Sequence, residues 1–395
     1  MIFEWQKVNL EAVYDGLYDG PHATPKESES GAIFLGIKNV TEDGRLDLSD
    51  IRYIAEDDFA TWTRRVTPQK DDIVFSYEAT LHRYAKIPAN FRGCLGRRMA
   101  LIRPNKKKVN VDFLFHYFLS PLWKSEVEGN ILSGSTVDRI PLTNVPRFEI
   151  YLPPLQIQQK IAAILSAYDD LIENNLQRIK LLEEMAQITY EEWFVRMKFP
   201  GHETAQWDKE TGLPDGWAKI PLGNMMIFHY GKGLRSHEKR EGKVPIYSSA
   251  GIFGYHDVSL VDAPGIIVGR KGNVGSVFWS QEPFFPMDTT YYVESKESLY
   301  FAYFALKSVE FINNDAAVPG LNRNAAYAMK IISPISELID RFEEKVKPTF
   351  ITVFNLKKQN ELLREAREIL LPRLMTGVMD VDQVEVPEAL LARVA

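Results

Sequence analysis

Three polar runs flanked by glycine or small residues carry the side chains best suited to touching another molecule. Arg270-Lys271-Gly272-Asn273 follows the apolar stretch GIIVG. Glycine lets a backbone approach a phosphate closely, and Arg, Lys and Asn carry donors long enough to reach phosphates or base edges. The same run also reads as a polar hairpin turn. SGSTVDR (133–139), with Ser135, Thr136 and Arg139, and LNRN (321–324), with Asn322 and Arg323, occupy comparable places ahead of two helices. Both offer hydroxyl or amide donors beside an arginine. GRR (96–98), holding Arg97 and Arg98, and RPNKKK (103–108) are further basic runs that serve equally well as solvated loops.

Catalytic constellations are not found in the sequence. None of His22, His82, His116, His202, His229, His237 and His256 falls in an H-E-x-x-H or H-x-H spacing, and Cys94 is the single cysteine, so no metal site is expected. GRKGNVGS (269–276) matches neither the phosphate-binding nor the dinucleotide-binding glycine pattern. The acidic pairs Asp71-Asp72 and Glu191-Glu192 read as solvated faces. An adenine methyltransferase needs an acid or amide followed by two prolines and an aromatic, whereas the one proline pair here lies in LPPL. The chain is therefore expected neither to bind a methyl donor nor to cut DNA, and no cofactor is assigned to it.

What must position the polar runs is set by length and pattern. At 395 residues the chain calls for two or three domains. With 45% hydrophobic and 25% charged residues it has ordinary globular composition. The net charge of −6 argues against a nucleic-acid partner, but its distribution softens that argument. Residues 1–150 hold 20 Lys and Arg against 21 Asp and Glu, and residues 200–333 hold 13 against 14. Near-neutral segments with local basic runs can still present a DNA-binding face. A lone cysteine, no apolar run of membrane-spanning length and a charged start (MIFEWQKVNL) give the expectation of a cytoplasmic protein with no membrane association.

The chain repeats itself. Trp5 to Leu10 and Trp217 to Leu222 both read W-x4-L, and VNVDFLFHYFLS (109–120) is echoed by ESLYFAYFALKS (297–308). RFEIYLPPLQIQQKIAAIL (147–165) matches AMKIISPISELIDRFEEKV (328–346) at an offset of 181, which persists through Leu181/Leu362 and Leu182/Leu363. The order is variable region, helix, variable region, helix. Expected boundaries are 1–153 and 199–333 for two mixed α/β domains, 154–198 and 334–376 for the helices, and 377–395 for a weakly ordered acidic tail. Such a pattern is one scaffold carrying two different readers.

Both helices carry heptad seams. Ile161, Tyr168, Asn175 and Leu182 alternate with Leu165, Ile172 and Ile179 in the first, and Phe342, Leu356 and Leu363 with Val346, Val353 and Asn360 in the second. Arg367 interrupts the second seam, and Pro348 predicts a kink or a fresh helix start. Asn175 and Asn360 fall where a polar residue fixes register, unless they face water at the edge of the stripe. Gln156, Gln158 and Gln159 read as polar surface. Each helix of about 40 residues would span roughly 60 Å. Two such helices with a domain between them pair most simply as an antiparallel coiled-coil-like spacer. Binding partner helices is the alternative use of the same seams, and a four-helix arrangement would satisfy both.

IYLPPLQIQQKIAAILSAYDDLIENN followed by LLEEMAQITYEEWFVRMKFPG, the LPDGW opening of the second variable region, DGPHATP in the first and GRKGNVGSVFW in the second together resemble the specificity subunit of type I restriction-modification systems. The resemblance covers essentially the whole chain, though the second helix has a single Pro334 in place of the proline pair. It implies two target-recognition domains, each reading half of a split, asymmetric double-stranded DNA site, with the helices setting the gap. It implies assembly with two modification subunits, which bind S-adenosylmethionine and methylate adenine N6. ATP- and Mg-dependent restriction and translocase subunits would complete the complex. On that reading the DNA-contacting candidates also include Arg83 in the first domain and Arg235 and Tyr247 in the second. A coiled-coil adaptor whose globular ends bind proteins is the rival.

Overall fold

The computed structural model describes residues 5–132, 137–234, 240–311 and 320–394. It divides into two units, residues 1–173 with 361–395 and residues 174–360, so each takes part of both long helices.

In the first unit, β1 (Gln6–Asn9) is followed by β2 (Tyr14–Asp19), β3 (Ala32–Leu35), β4 (Arg52–Ile54) and the short α1 (Phe59–Trp62). Then come β5 (Ile73–Ser76), β6 (Tyr84–Lys86), β7 (Gly93–Leu95) and β8 (Met99–Pro104). Helices α2 (Val111–Leu119) and α3 (Pro121–Glu128) precede β9 (Glu149–Leu152) and the long α4 (Leu155–Tyr190). One sheet has the order β2-β8-β5-β6, a second β4-β3-β7, and β1 pairs with β9. The run Ile73–Ser76 is buried throughout because β5 is an inner strand covered on both faces. The Asn110 side chain caps α2 by accepting from Phe113 N at 3.0 Å, and Ser120 with Pro121 starts α3.

The second unit contains β10 (Ala218–Pro221), α5 (Leu222–Met225), β11 (Met226–Tyr230), β12 (Val244–Ser248), β13 (Gly251–His256), β14 (Gly265–Gly269) and β15 (Val277–Ser280). After β16 (Phe285–Pro286) and β17 (Thr290–Ser295) follow α6 (Leu299–Lys307), α7 (Arg323–Ala328), β18 (Lys330–Ser333) and the long α8 (Ser336–Met375). Its sheets run β11-β17-β14-β15 and β13-β12-β16, with β10 paired to β18. This is the first unit strand for strand. Even the one parallel pairing in each small sheet recurs, β3 with β7 and β12 with β16. The chain is thus a duplicated mixed α/β scaffold whose intervening loops differ in length.

Within each unit the long helices pair antiparallel. In the first, Ile161, Leu165 and Ile172 are buried and Tyr168 partly so; Leu374 and Met375 join Ile161 and Leu165 in one core, while Leu363 is half-buried. In the second, Ile179 packs with Val353 and Leu356, Leu182 flanks them, and Phe342 and Val346 lie in the main core. Burial of each such side chain contributes about 1.5–3 kcal/mol. Both seam asparagines are buried, at 4% and 1% exposure, so neither faces water.

Four expectations are corrected. Helix α8 continues unbroken through Pro348, so no new helix starts there; the packed seam on either side holds one helix despite the missing donor. Gln158 is not surface but 1% exposed, accepting from Asn110 N at 2.8 Å and donating to the Pro153 carbonyl at 2.7 Å. Asp72 is likewise buried, gripped by Nε and Nη2 of Arg103 at 2.8 Å each. The acidic tail is ordered: Val381 and Val394 enter the first unit's core, a short α9 (Glu388–Leu391) forms, and the Asn110 amide donates to the Val394 carbonyl.

Candidate nucleic-acid interface

In the second unit the loop after β14 is built by glycine. A Cβ on Gly269 would lie 2.2 Å from the Asn273 carbonyl oxygen, and Gly272 and Gly275 adopt φ of 77° and 79°. The loop closes through Gly269 N to the Ser276 carbonyl at 2.7 Å. Arg270 N donates to the Thr289 carbonyl at 2.8 Å, and the Arg270 carbonyl accepts from Leu321 N at 2.8 Å. The strand end, this loop and the start of α7 therefore converge.

The arginines of these elements meet over one ring. The guanidinium of Arg270 stands 4.9 Å from the centroid of Tyr230 and that of Arg323 stands 5.0 Å from it. Each is also anchored on a carbonyl, Arg270 Nη1 on Asp288 at 3.1 Å and Arg323 Nη1 on Phe228 at 3.4 Å. Cation–π attraction of about 0.5–2 kcal/mol per pair, with those anchors, holds two cationic groups side by side. Beneath them Tyr291 is buried and donates to the Leu321 carbonyl at 2.9 Å. Burial and the neighbouring Tyr230 push its hydroxyl above the usual tyrosine range, opposed by the charge of Arg270.

The remaining second-unit candidates divide. Lys271 and Asn273 are exposed on the same loop. Asn322 is exposed, but its side-chain oxygen caps α7 by accepting from Asn324 N and Ala325 N at 2.9 and 3.2 Å. Tyr247 departs from the expectation: it is 7% exposed and its ring packs with Ile267 and Phe284, so it supports the sheet instead of presenting a surface. Arg235 lies outside the described residues, as do Ser135 and Thr136 of the first unit.

In the first unit Glu78 gathers Arg98 and Arg139, with its carboxylate 3.0 Å from Arg98 Nε and 3.9 Å from Arg139 Nε. Arg98 holds a φ of 69°, uncommon for a residue with a side chain. Arg83 pairs instead with Glu42 at 2.6 Å, and Arg97 is exposed. Sequence reasoning missed Asp19 of DGPHATP, which takes Arg65 at 2.5 Å and His22 at 2.9 Å.

Backbone registers align the two sites. Gly20 N donates to the Met99 carbonyl as Gly231 N does to that of Thr290; Tyr77 N donates to Arg98 as Arg270 N does to Thr289. Ile140 N donates to Tyr77 as Leu321 N does to Arg270, and the bridge of Glu78 with Arg139 recurs as that of Lys271 with Gly320. Asp19 thus occupies the place of Tyr230, Tyr77 that of Arg270 and Glu78 that of Lys271. Two carboxylates stand in one unit where an aromatic ring and a lysine stand in the other, and a tyrosine stands where the other has Arg270. Tyr230 ends a strand and is followed by GKG, a signal that periodicity alone does not single out. Among the described residues no three His, Cys, Asp or Glu side chains are grouped to hold a metal, and no helix is long and apolar enough to cross a membrane.

The chain is a duplicated mixed α/β scaffold with unlike polar clusters at equivalent loop ends. Residues 33–184 and 214–338 match the type I restriction modification DNA specificity domain, and the chain belongs to that family, whose members recognise DNA sequence. It is similar to the type I restriction enzyme MjaIX specificity subunit of Methanocaldococcus jannaschii, 27% identical over 311 residues covering 71% of each chain. It is also similar to the putative MjaX specificity subunit of the same organism, 22% identical over 96% of this chain and 94% of that one. Among solved structures, the type I restriction-modification S subunit from M. genitalium shares its fold with a TM-score of 0.59 at 18% identity, covering 94% of this chain and 96% of that one.

Proposed function

We propose that each unit reads one half of a bipartite, asymmetric double-stranded DNA site, that the helix pair fixes the gap, and that the chain performs no catalysis of its own. The observation carrying this reading is the register equivalence: identical strand order and backbone bonds, with Asp19 and Glu78 in one unit where Tyr230 and Lys271 stand in the other. Equal scaffolds explain a shared way of meeting DNA, and unequal side chains explain two different half-sequences.

The helices supply a second argument, for two copies of one partner. Leu181 and Ile188, 63% and 57% exposed, lie seven residues apart on the outer face of α4. Leu362 and Ile369, 65% and 48% exposed, repeat them at the offset of 181 on α8. Exposed apolar pairs at matched positions suit two identical helical partners. In this reading those partners are the modification subunits, which carry S-adenosylmethionine and methylate adenine, while ATP and Mg belong to restriction and translocase subunits. The complex would work in the cytoplasm, where the DNA is.

Mapping methylated adenines in cells that express the chain with its modification subunit tests the reading. The expected result is one split motif with unlike halves and a constant gap. An undivided motif, or methylation by the chain alone, would contradict it.

A further inference from the structure

We propose that Arg270, Tyr230 and Arg323 form the base-reading element of the second unit, with Tyr230 positioning the two arginines and the guanidinium edges reading guanine. The proposal rests on the DNA reading above and goes beyond it by naming the element and its base class.

Three observations carry it. First, the arginines are oriented. A bidentate contact to guanine O6 and N7 requires the planar fork to be held in one attitude. Arg270 is fixed by its own backbone bonds to Thr289 and Leu321, by the Asp288 carbonyl and by the ring of Tyr230. Arg323 is fixed by the Phe228 carbonyl and the same ring.

Second, the ring is not spent on the core. Tyr230 is 50% exposed, so part of its ring stays open to a ligand, while Tyr291 beneath it is 1% exposed and supplies the packing. Third, the equivalent place in the first unit carries different side chains. Asp19 there holds Arg65 and His22, and Tyr77 takes the position of Arg270. A corner that sets sequence preference must differ if the two half-sites differ.

The test uses the full chain with its modification subunits and reads base preference at every motif position by sequencing methylated sites. Arg270→Gln and Arg323→Gln are the primary variants; the second removes one long backbone bond and one cation–π contact at the surface, so it serves if the first proves unstable. The expected result is that one guanine position in one half-site loses preference by roughly ten-fold or more, while the other half-site is unchanged. Tyr230→Leu should broaden the same position and Tyr230→Phe should restore it, because phenylalanine keeps the ring face that orients the arginines. Uniform weakening at all sites with base preference intact would show phosphate contact only and overturn the proposal. An unaltered motif with both arginine variants would overturn it as well. A wild-type complex with no split motif would remove the reading on which the proposal rests, a result distinguishable from the other two.

Discussion

The amide of Asn175 donates to the side-chain oxygen of Asn360 at 2.9 Å, joining α4 to α8 at the centre of their seams. A second bond at 3.0 Å reaches Gln359. A polar pair in an apolar seam costs stability compared with leucines but admits one register, since any slip strands both amides away from water.

Replacing Asn175 alone with leucine leaves the Asn360 amide without this partner and should destabilise the chain by about 1–2 kcal/mol. Replacing both should recover most of that loss. Thermal or denaturant unfolding in a double-mutant cycle measures the coupling; additive losses would show that the pair is not a register pin.

In the first unit a buried charge cluster fills the place where Arg367 breaks the seam. Arg367 Nη1 lies 2.5 Å from Asp169, whose other oxygen is 2.8 Å from Nε2 of the buried His116. The repeat puts Phe304, Phe350 and Ala186 at the matching places of the second unit, where the two rings meet edge to face at 5.8 Å. Asp169→Asn should cost roughly 3 kcal/mol, because it strands a buried guanidinium. Unfolding of the variant at neutral pH checks this.

The same carboxylate sets a pH dependence. Burial of Asp169 opposes its ionisation, but the His116 hydrogen bond and the charges of His116 and Arg367 more than offset that, holding it below the ordinary 3.8. Asp43, which faces Arg364 at 3.4 Å, is lowered in the same way: burial is outweighed by bonds from Thr41 and Arg45. Groups with depressed folded values contribute fully above the unfolded value and lose their contribution as pH falls through the folded one. Stability should therefore be flat with respect to these two groups above about pH 5 and fall below pH 4. The gap between wild type and Asp169→Asn should narrow over that acid range; a gap independent of pH would contradict the assignment.

Truncation after Gly377 removes Val381 and Val394 from the first unit's core and the tail's bond to Asn110. A loss of about 3–5 kcal/mol is expected from the two side chains. An unchanged melting temperature would show that the tail packs without supporting the unit.

If the helices act as a ruler, inserting four residues into α4, about one turn, should lengthen the gap of the methylated motif while keeping both half-sequences. An unchanged gap would remove the helix pair from that role.

The repeat, the seams and the two mixed domains were legible because apolar periodicity and a fixed offset of 181 survive in the residues themselves. The contribution of Pro348 was not, since propensity at one residue yields to packing on both sides of it. Nor was the tail: Val381 and Val394 are lone apolar residues in an acidic run, and only the folded unit shows what receives them. Arg270 and Arg323 could be picked by type, but Tyr230 and Asp19 could not. Their equivalence rests on backbone registers at an offset of 211, visible only once β2 and β11 are paired to β8 and β17. Tyr247 was misplaced because a tyrosine in a β-strand reads the same whether its ring faces a groove or a core.

Exchange of residues 210–333 for the corresponding segment of a different reader, followed by mapping of methylated sites, tests most directly that each unit reads one half-site. The account predicts that one half of the motif changes and the other half and the gap stay as they were. A change in both halves, or in neither, would contradict it.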